Sequence, residues 1–406
     1  MNSVQRQKLV LFGAGKIGRS FIGQLFSNGG YEVVFIDTRK NIIDALNQRG
    51  HYKVIIKSEK EEILNITNVR GVYAGDKQEV TNEIATASLL AVSVGLEGLD
   101  RIFPLLAEGL IKRQANDKTS ALDIIIAENM RDADSYFEKN LKKQLPAEYP
   151  FDSLVGLVET SIGKMVPIMQ KKDLQEDILQ VFAEPYNTLI LNKKGFKNPI
   201  PAINGLSPKE NMKAWVDRKL FIHNLGHSAA AYFGYVYNPG FIYMHEVLAI
   251  SELYEKVRET MLQSADILLK KYPGEFTPFQ LEEHIDDLLL RFQNKALGDT
   301  VFRVGCDLLR KLGPQDRLAG AIKSALELNL PFDKILYALV CGCHFRAKDE
   351  DGRMFSGDFE FIRLYRKGIQ TILTDLCGFD KIIDRQLLAE AEQLDSDLRK
   401  FIISDL

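Results

Sequence analysis

The sequence has no unbroken apolar run of the roughly 18 residues a helix needs to cross a bilayer, so no membrane span is expected. The short apolar run at residues 9–12 follows a polar, mixed N-terminus. It is too short for the hydrophobic region of a signal peptide. Cysteine is scarce. The four are Cys306, Cys341, Cys343 and Cys377, all in the last quarter and without framework spacing. That argues against a disulfide-stapled secreted module and fits a reduced, cytoplasmic setting. Excess charge of one sign is also lacking, at −3 over 406 residues. Nothing therefore points to nucleic acid or a membrane surface as a partner, although local basic clusters can still hold a phosphate. Internal repeats and low-complexity tracts are missing too. What remains is ordinary for a globular protein, 46% hydrophobic and 26% charged, and long enough for about two domains with sizeable cores.

The first 130 residues read as alternating strands and helices. Residues 8–12 form a short apolar strand ending at glycine, and residues 17–26 have helical periodicity that stops near Asn28-Gly29-Gly30. Residues 33–36 are a second buried strand ending at Asp37, while residues 52–56 and 62–66 flank a charged turn like a hairpin. Further buried strands are expected at 89–94 and 124–127. Buried strands alternating with helices predict a mostly parallel α/β sheet covered on both faces. From about residue 205 the pattern turns helical: Met261, Ala265, Leu268 and Leu269 recur at helical spacing, and Thr277-Pro278 reads as an N-cap followed by proline at the first helical position. The expectation is an N-terminal Rossmann domain over 1–203 and an all-α domain over 204–406. The Lys-, Gly-, Pro- and Asn-rich stretch 193–208 is the candidate linker.

Gly13-Ala14-Gly15-Lys16-Ile17-Gly18 matches G-x-G-x-x-G, and here the pattern follows a strand and opens a helix. Asp37 ends the next strand, where the fingerprint requires an acid to receive the ribose hydroxyls of NAD and repel the 2′-phosphate of NADP. Arg39 nearby weakens that preference slightly. The expected cofactor-binding residues are Gly13, Ala14, Gly15, Lys16, Ile17, Gly18, Asp37 and Val94, with NAD as cofactor. A glycine turn without ligand and an FAD site are the alternatives.

Two further features carry chemistry. Glu128-Asn129-Met130 lies at the C-terminal end of a buried strand, the end where open α/β sheets bind ligands. The second is the stretch from Arg218 through Lys219, Asn224 and His227. On a regular helix at about 100° per residue, Asn224 lies about 140° and His227 about 80° from Lys219. One face can then present all three. A lysine of depressed pKa can take the proton of an alcohol, and amides can stabilise the alkoxide. The bland alternative is that these are surface or satisfied groups. Other dehydrogenase plans fit less well. The one Tyr-x-x-x-Lys match, Tyr73 to Lys77, lies in a turn, and Cys341-Gly342-Cys343-His344 lacks a fourth zinc ligand. No metal site is expected, and His51, His223, His245 and His284 read as structural.

At these residues the sequence resembles the long-chain polyol dehydrogenases, the mannitol dehydrogenase family, over nearly its whole length. The resemblance runs through the glycine loop to Arg19-Ser20-Phe21-Ile22-Gly23, through Ala127-Glu128-Asn129-Met130, and through Lys219 to His227 with its Lys-x-x-x-x-Asn-x-x-His spacing. It continues in Arg303-Val304-Gly305, Leu309-Arg310-Lys311-Leu312, Asp316-Arg317-Leu318 and His344-Phe345-Arg346. It implies a zinc-free mechanism with Lys219 as general base, Asn129 and Asn224 as the oxyanion hole, and His227 orienting substrate. For the branch acting on phosphorylated substrates it implies that mannitol 1-phosphate and NAD give fructose 6-phosphate and NADH. The partners would be a sugar-alcohol phosphate and a ketose phosphate, bound by a monomer or weak dimer. Arg310, Lys311 and Arg317, with His344, are the expected substrate-binding residues. A solvated helix end is the alternative for the basic three, and Arg303 and Arg346 are weaker phosphate candidates. Three positions depart from the family pattern. Gly163-Lys164 stands where Asp-Arg is usual, and Ala127 where Cys is common. The competing functions are a free-polyol or uronate dehydrogenase and a redox-sensing NAD-binding module without turnover.

Overall fold

The strand β1 (Lys8–Phe12) shows why this chain builds a two-faced sheet. Its side chains alternate between faces. Leu9 and Leu11 enter one buried cluster, and Val10 and Phe12 enter another. In β2 (Glu32–Asp37), Val33 and Phe35 join the first cluster and Val34 and Ile36 the second. A strand stretch buried on both sides must be apolar at every position, and residues 9–12 and 33–36 are. The computed structural model describes residues 7–58 and 60–404.

The remaining strands are β3 (Tyr52–Ile56), β4 (Glu62–Ile66), β5 (Val69–Tyr73) and β6 (Leu89–Val92). They are followed by β7 (Leu122–Ile126), β8 (Val155–Ser161), β9 (Val181–Ala183), β10 (Leu189–Asn192) and β11 (Leu206–Lys209). Eight of them form one sheet in the order β11-β10-β8-β7-β6-β1-β2-β5. All its pairings are parallel except β10 with β8. The order reverses between β1 and β6, so the C-terminal ends of these strands flank a topological switch point. The expected hairpin forms as the antiparallel pair β3–β4. It belongs to a separate three-stranded sheet completed by β9.

The expected linker is not one. Residues 193–208 contain a 3₁₀ turn at Lys193–Gly195 and most of β11, which pairs with β10. Lys197 and Asn198 donate backbone N–H bonds to the buried Asp123 carboxylate at 2.7 and 3.1 Å. The glycine and proline that suggested a loop have structural reasons. A Cβ on Gly195 would sit 2.1 Å from the Leu157 carbonyl oxygen. Pro208 lies in an edge strand, where a missing N–H is tolerated. Strand β11 is also an exception to the all-helical reading of residues 204–406.

The chain divides into two compact units between Val216 and Asp217, later than the boundary expected after residue 203. The second unit is helical, with one isolated β-bridge between Tyr243 and Thr300. Its centre is the helix Leu225–Tyr237, packed by Met244–Leu248, Ser251–Lys271, Val301–Gly305 and Asp333–Cys343. Small residues permit that crowding. Ser228, Ala229, Ala230 and Ala231 are buried, and a Cβ on Gly226 would meet the Met261 sulfur at 2.4 Å. Thr277 caps the helix Pro278–Phe292 in a reciprocal box with Gln280. Cys341 and Cys343 are buried, unpaired helix residues.

Candidate active site

In the first unit the G-x-G-x-x-G loop joins β1 to a helix over residues 16–28 whose middle, Gly18–Gly23, is π-helical. The three glycines have different reasons to be glycine. Gly13 has φ +98°, and a Cβ there would sit 2.0 Å from the Ser93 carbonyl oxygen. A Cβ on Gly18 would sit 2.0 Å from the Gly13 carbonyl oxygen. A Cβ on Gly15 would meet nothing within 4 Å. The first two make the turn and the close helix–strand packing possible, and the third leaves open space beside bare backbone. Arg19, which pattern reasoning did not assign a task, braces the loop. It is buried, and its guanidinium donates to the carbonyls of Ala14, Ile178 and Leu179. Burial pulls its pKa down to about 10.

Asp37 reaches back across the loop. Its carboxylate accepts from Ala14 N–H at 2.8 Å and from the Arg39 backbone at 2.8 Å. The Arg39 guanidinium adds bonds at 3.0 and 2.9 Å. Burial works against its charge, but Arg39 and Ala14 outweigh that and hold the pKa below the usual range. A cavity of about 640 Å³ opens here, with Gly13, Gly15, Asp37, Arg39, Val94 and Arg101 in its wall. Val94 N–H and Gly95 N–H point to the buried Glu128 carboxylate at 2.6 and 3.0 Å. Burial raises the pKa of Glu128. Asn129 is exposed just past the end of β7. Gly13, Asp37, Val94, Gly95, Glu128 and Asn129 sit at or just past C-terminal strand ends, where the parallel sheet directs its ligands.

In the second unit Lys219 and Asn224 bound a π-helical segment, Lys219–Asn224, in which Leu225 N–H bonds to the Leu220 carbonyl. That segment corrects the angular reading made for a regular helix. Hydrogen bonding to the fifth residue stacks positions five apart almost above one another. Lys219 and Asn224 therefore share a face far more closely than about 140° allows. Such insertions are frequent at functional sites. Lys219 keeps some exposed surface but is densely surrounded. Desolvation, with the nearby Arg317 and Arg310 opposing another positive charge, lowers its pKa to about 8, while Asp316 acts the other way. Arg317 is buried and donates to the Asn224 carbonyl at 3.4 Å, to Ser228 Oγ at 3.2 Å and to Asp316 at 2.8 Å. Asp316 also lies 3.8 Å from Arg310, so one carboxylate stands between the two arginines. His227 stacks flat on Phe292, with ring centroids 4.4 Å apart and planes 8° apart, and faces the buried Asp299.

Two expected substrate-binding residues have protein partners of their own. Lys311 is buried, and its ammonium donates to the Val304 carbonyl at 2.7 Å, near the end of the helix Val301–Gly305. His344 lies in another network. Its Nε2 is 2.8 Å from Asp395 and 3.1 Å from Tyr365. Arg310 and Arg317 stay with Lys219. Of the weaker phosphate candidates, Arg303 pairs with Asp299, and Arg346 donates to the Phe345 carbonyl at 2.6 Å. Asp299 and Asp316 were missed as site residues. Asp316 lies within a motif of the resemblance, whereas no local spacing marks Asp299.

The departure at Gly163 is roomy. A Cβ there would come no closer than 3.6 Å to the Tyr186 ring. Lys164 is buried and donates to Asn187 at 2.8 Å. Among the described residues, no group of three or more His, Cys, Asp or Glu could hold a metal. Among them, too, no helix is long and apolar enough to cross a membrane.

Residues 7–205 match the Mannitol dehydrogenase Rossmann domain, and residues 211–374 match the Mannitol dehydrogenase C-terminal domain. A mannitol-1-phosphate 5-dehydrogenase of Buchnera aphidicola is 30% identical over 376 residues, covering 91% of this chain and 94% of the relative. A crystal structure of D-sorbitol dehydrogenase in substrate-free form superposes with TM-score 0.82 at 17% identity, covering 98% of this chain and 94% of that one. The ternary complex of Pseudomonas fluorescens mannitol 2-dehydrogenase with NAD and D-mannitol superposes with TM-score 0.77 at 17% identity, over 99% and 94%. The chain belongs to the mannitol dehydrogenase family, whose members are oxidoreductases with a Rossmann domain and a helical C-terminal domain.

Proposed function

We propose that this protein is a NAD-dependent, zinc-independent polyol dehydrogenase that interconverts mannitol 1-phosphate and fructose 6-phosphate. Lys219 is the observation that carries the reading. It is a lysine whose pKa is lowered to about 8 by desolvation, Arg317 and Arg310. It can therefore be a base near neutral pH, with two arginines close by.

The glycine loop fits a dinucleotide. Of its three glycines, Gly15 alone has no protein atom within 4 Å of an added Cβ. The protein's own packing does not demand a glycine there, whereas a pyrophosphate against the backbone does. Residues 13–18, including Lys16 and Ile17, would hold the pyrophosphate at the helix N-terminus. Asp37 would receive the ribose hydroxyls, and Val94 would form part of the wall. When bound, NAD supplies the acceptor for the hydride from the carbinol carbon. Lys219 takes the hydroxyl proton. Asn224 donates to the developing alkoxide, Asn129 keeps the same role from the family pattern, and His227 holds a substrate hydroxyl. Arg310 and Arg317 are the phosphate contacts, and arginine suits that task through paired donors. We place the enzyme in the cytoplasm, on the cysteine spacing, as a monomer or weak dimer.

Two observations favour a second reading, a free polyol or a uronate. Asp316 partly neutralises the arginines, and Gly163 leaves room for a substrate group where relatives carry a carboxylate. The deciding experiment follows NADH consumption with fructose 6-phosphate beside fructose, with a chelator present. Fast turnover on the phosphate alone is expected. Equal or faster turnover on fructose, or turnover abolished by the chelator, overturns the proposal.

A further inference from the structure

The helical unit contains a buried acid that the proposed chemistry does not yet use. Asp299 immediately precedes Thr300, the N-cap of the helix Val301–Gly305, and its carbonyl accepts Met244 N–H at 2.9 Å, so its backbone is fixed on two sides. One carboxylate oxygen is paired with the Arg303 guanidinium. The other, Oδ2, lies 3.0 Å from Nε2 of His227, although the two are not aligned as a linear hydrogen bond. Both atoms are shut off from solvent and have no other partner among the described residues. A buried carboxylate oxygen and a buried imidazole nitrogen left unpaired would each be costly, so each is held to the other. Phe292, stacked on the imidazole, removes the ring's freedom to flip away.

We propose that Asp299 is a positioning residue for the reaction. Anchored by Arg303, it keeps the proton of His227 on Nε2 and so leaves Nδ1 as an acceptor for a substrate hydroxyl. Two features of the environment agree. Burial lowers the pKa of His227, which favours the neutral ring despite the opposing pull of Asp299. Burial also opposes the charge on Asp299, but with the ring neutral the Arg303 guanidinium and the polar contact with His227 Nε2 still favour the carboxylate, whose pKa lies below its usual value. A neutral imidazole has two tautomers. The group at one nitrogen selects between them, and a fixed anion selects the tautomer that points its N–H at the anion. The role rests on the proposed function, because it matters only if His227 holds substrate.

The test uses the full-length protein with ¹⁵N-labelled histidine. Long-range proton–nitrogen spectra are recorded near neutral pH without ligand, and His227 among the six histidines is assigned with a His227→Gln variant. The wild type is expected to carry the His227 proton on Nε2. A proton on Nδ1 overturns the proposal without any need for a folded Asp299 variant. Asp299→Asn is expected to shift the tautomer and raise KM for fructose 6-phosphate roughly tenfold or more, with NADH affinity unchanged. Asp299→Glu is expected to restore part of the loss. An Asp299→Asn protein with unchanged tautomer or unchanged KM also overturns it. If the wild type has the expected tautomer but reduces neither fructose 6-phosphate nor fructose, the function proposed above fails. In that case the role for Asp299 falls with it, while the proton placement stands.

Discussion

Lysine is normally a cation at neutral pH, and position 219 departs from that because crowding and two arginines make an added positive charge costly. The direction of the shift sets the expected pH profile. A general base must be unprotonated, so kcat/KM for polyol oxidation should rise with pH and level off above about 8. Ketose reduction needs the ammonium and should fall through the same range. Lys219→Ala should reduce turnover about 10²- to 10⁴-fold while NADH still binds, and the pH-dependent limb near 8 should vanish with it. Retained near-native turnover in that variant, measured by steady-state absorbance, would remove Lys219 from the mechanism.

Two of the three π-helical segments among the described residues are the feature at the scale of elements. One lies just behind the glycine loop and the other carries Lys219 and Asn224. Each places an extra residue in a turn and so changes which side chains share a face. The glycine loop offers a contrast that separates folding from binding. Gly18→Ala puts a methyl group 2.0 Å from the Gly13 carbonyl oxygen, and backbone on both sides cannot yield cheaply. Such overpacking should cost about 1–3 kcal/mol or more and lower the melting temperature. Gly15→Ala meets no protein atom, so thermal unfolding of the free protein should barely change while NADH affinity, read by fluorescence titration, drops. Unchanged NADH affinity in Gly15→Ala would mean that the loop does not hold the pyrophosphate.

Stability is a property of the whole molecule, and one strand residue should give it a pH slope. Glu159, buried in β8, has its pKa raised from 4.5 to about 7, first by desolvation and then by the nearby Asp134 and Asp132, against a hydrogen bond from Ala133 N–H. The folded state thus keeps a proton that the unfolded chain releases between pH 4.5 and about 7. Stability from this group must therefore fall as pH rises through that window and stay lower above it. Glu159→Gln should raise the melting temperature at pH 8, leave it nearly unchanged at pH 4, and flatten the slope between. A variant with the wild-type slope would show that Glu159 ionises normally.

The sequence by itself determined the class of this fold and much of its chemistry, because those signals are local. Alternating burial in strands such as β1, the G-x-G-x-x-G loop with Asp37 one strand later, and the Thr277-Pro278 helix start each lie within a few dozen residues. Their spacing states their geometry. Four readings depended on neighbours distant in the chain and went astray or stayed invisible. Residues 193–208 read as linker because glycine and proline mark loops, but tertiary packing gave Gly195 and Pro208 places in and beside a sheet. Lys311 and His344, expected at the substrate, have partners that local sequence does not reveal, a carbonyl for the first and Asp395 and Tyr365 for the second. The π-helical turn that brings Lys219 and Asn224 to one face has no sequence signature that the regular helical period can express. The pairing of His227 with Asp299 joins residues 72 positions apart, and only the folding of the helical unit brings that carboxylate to the ring.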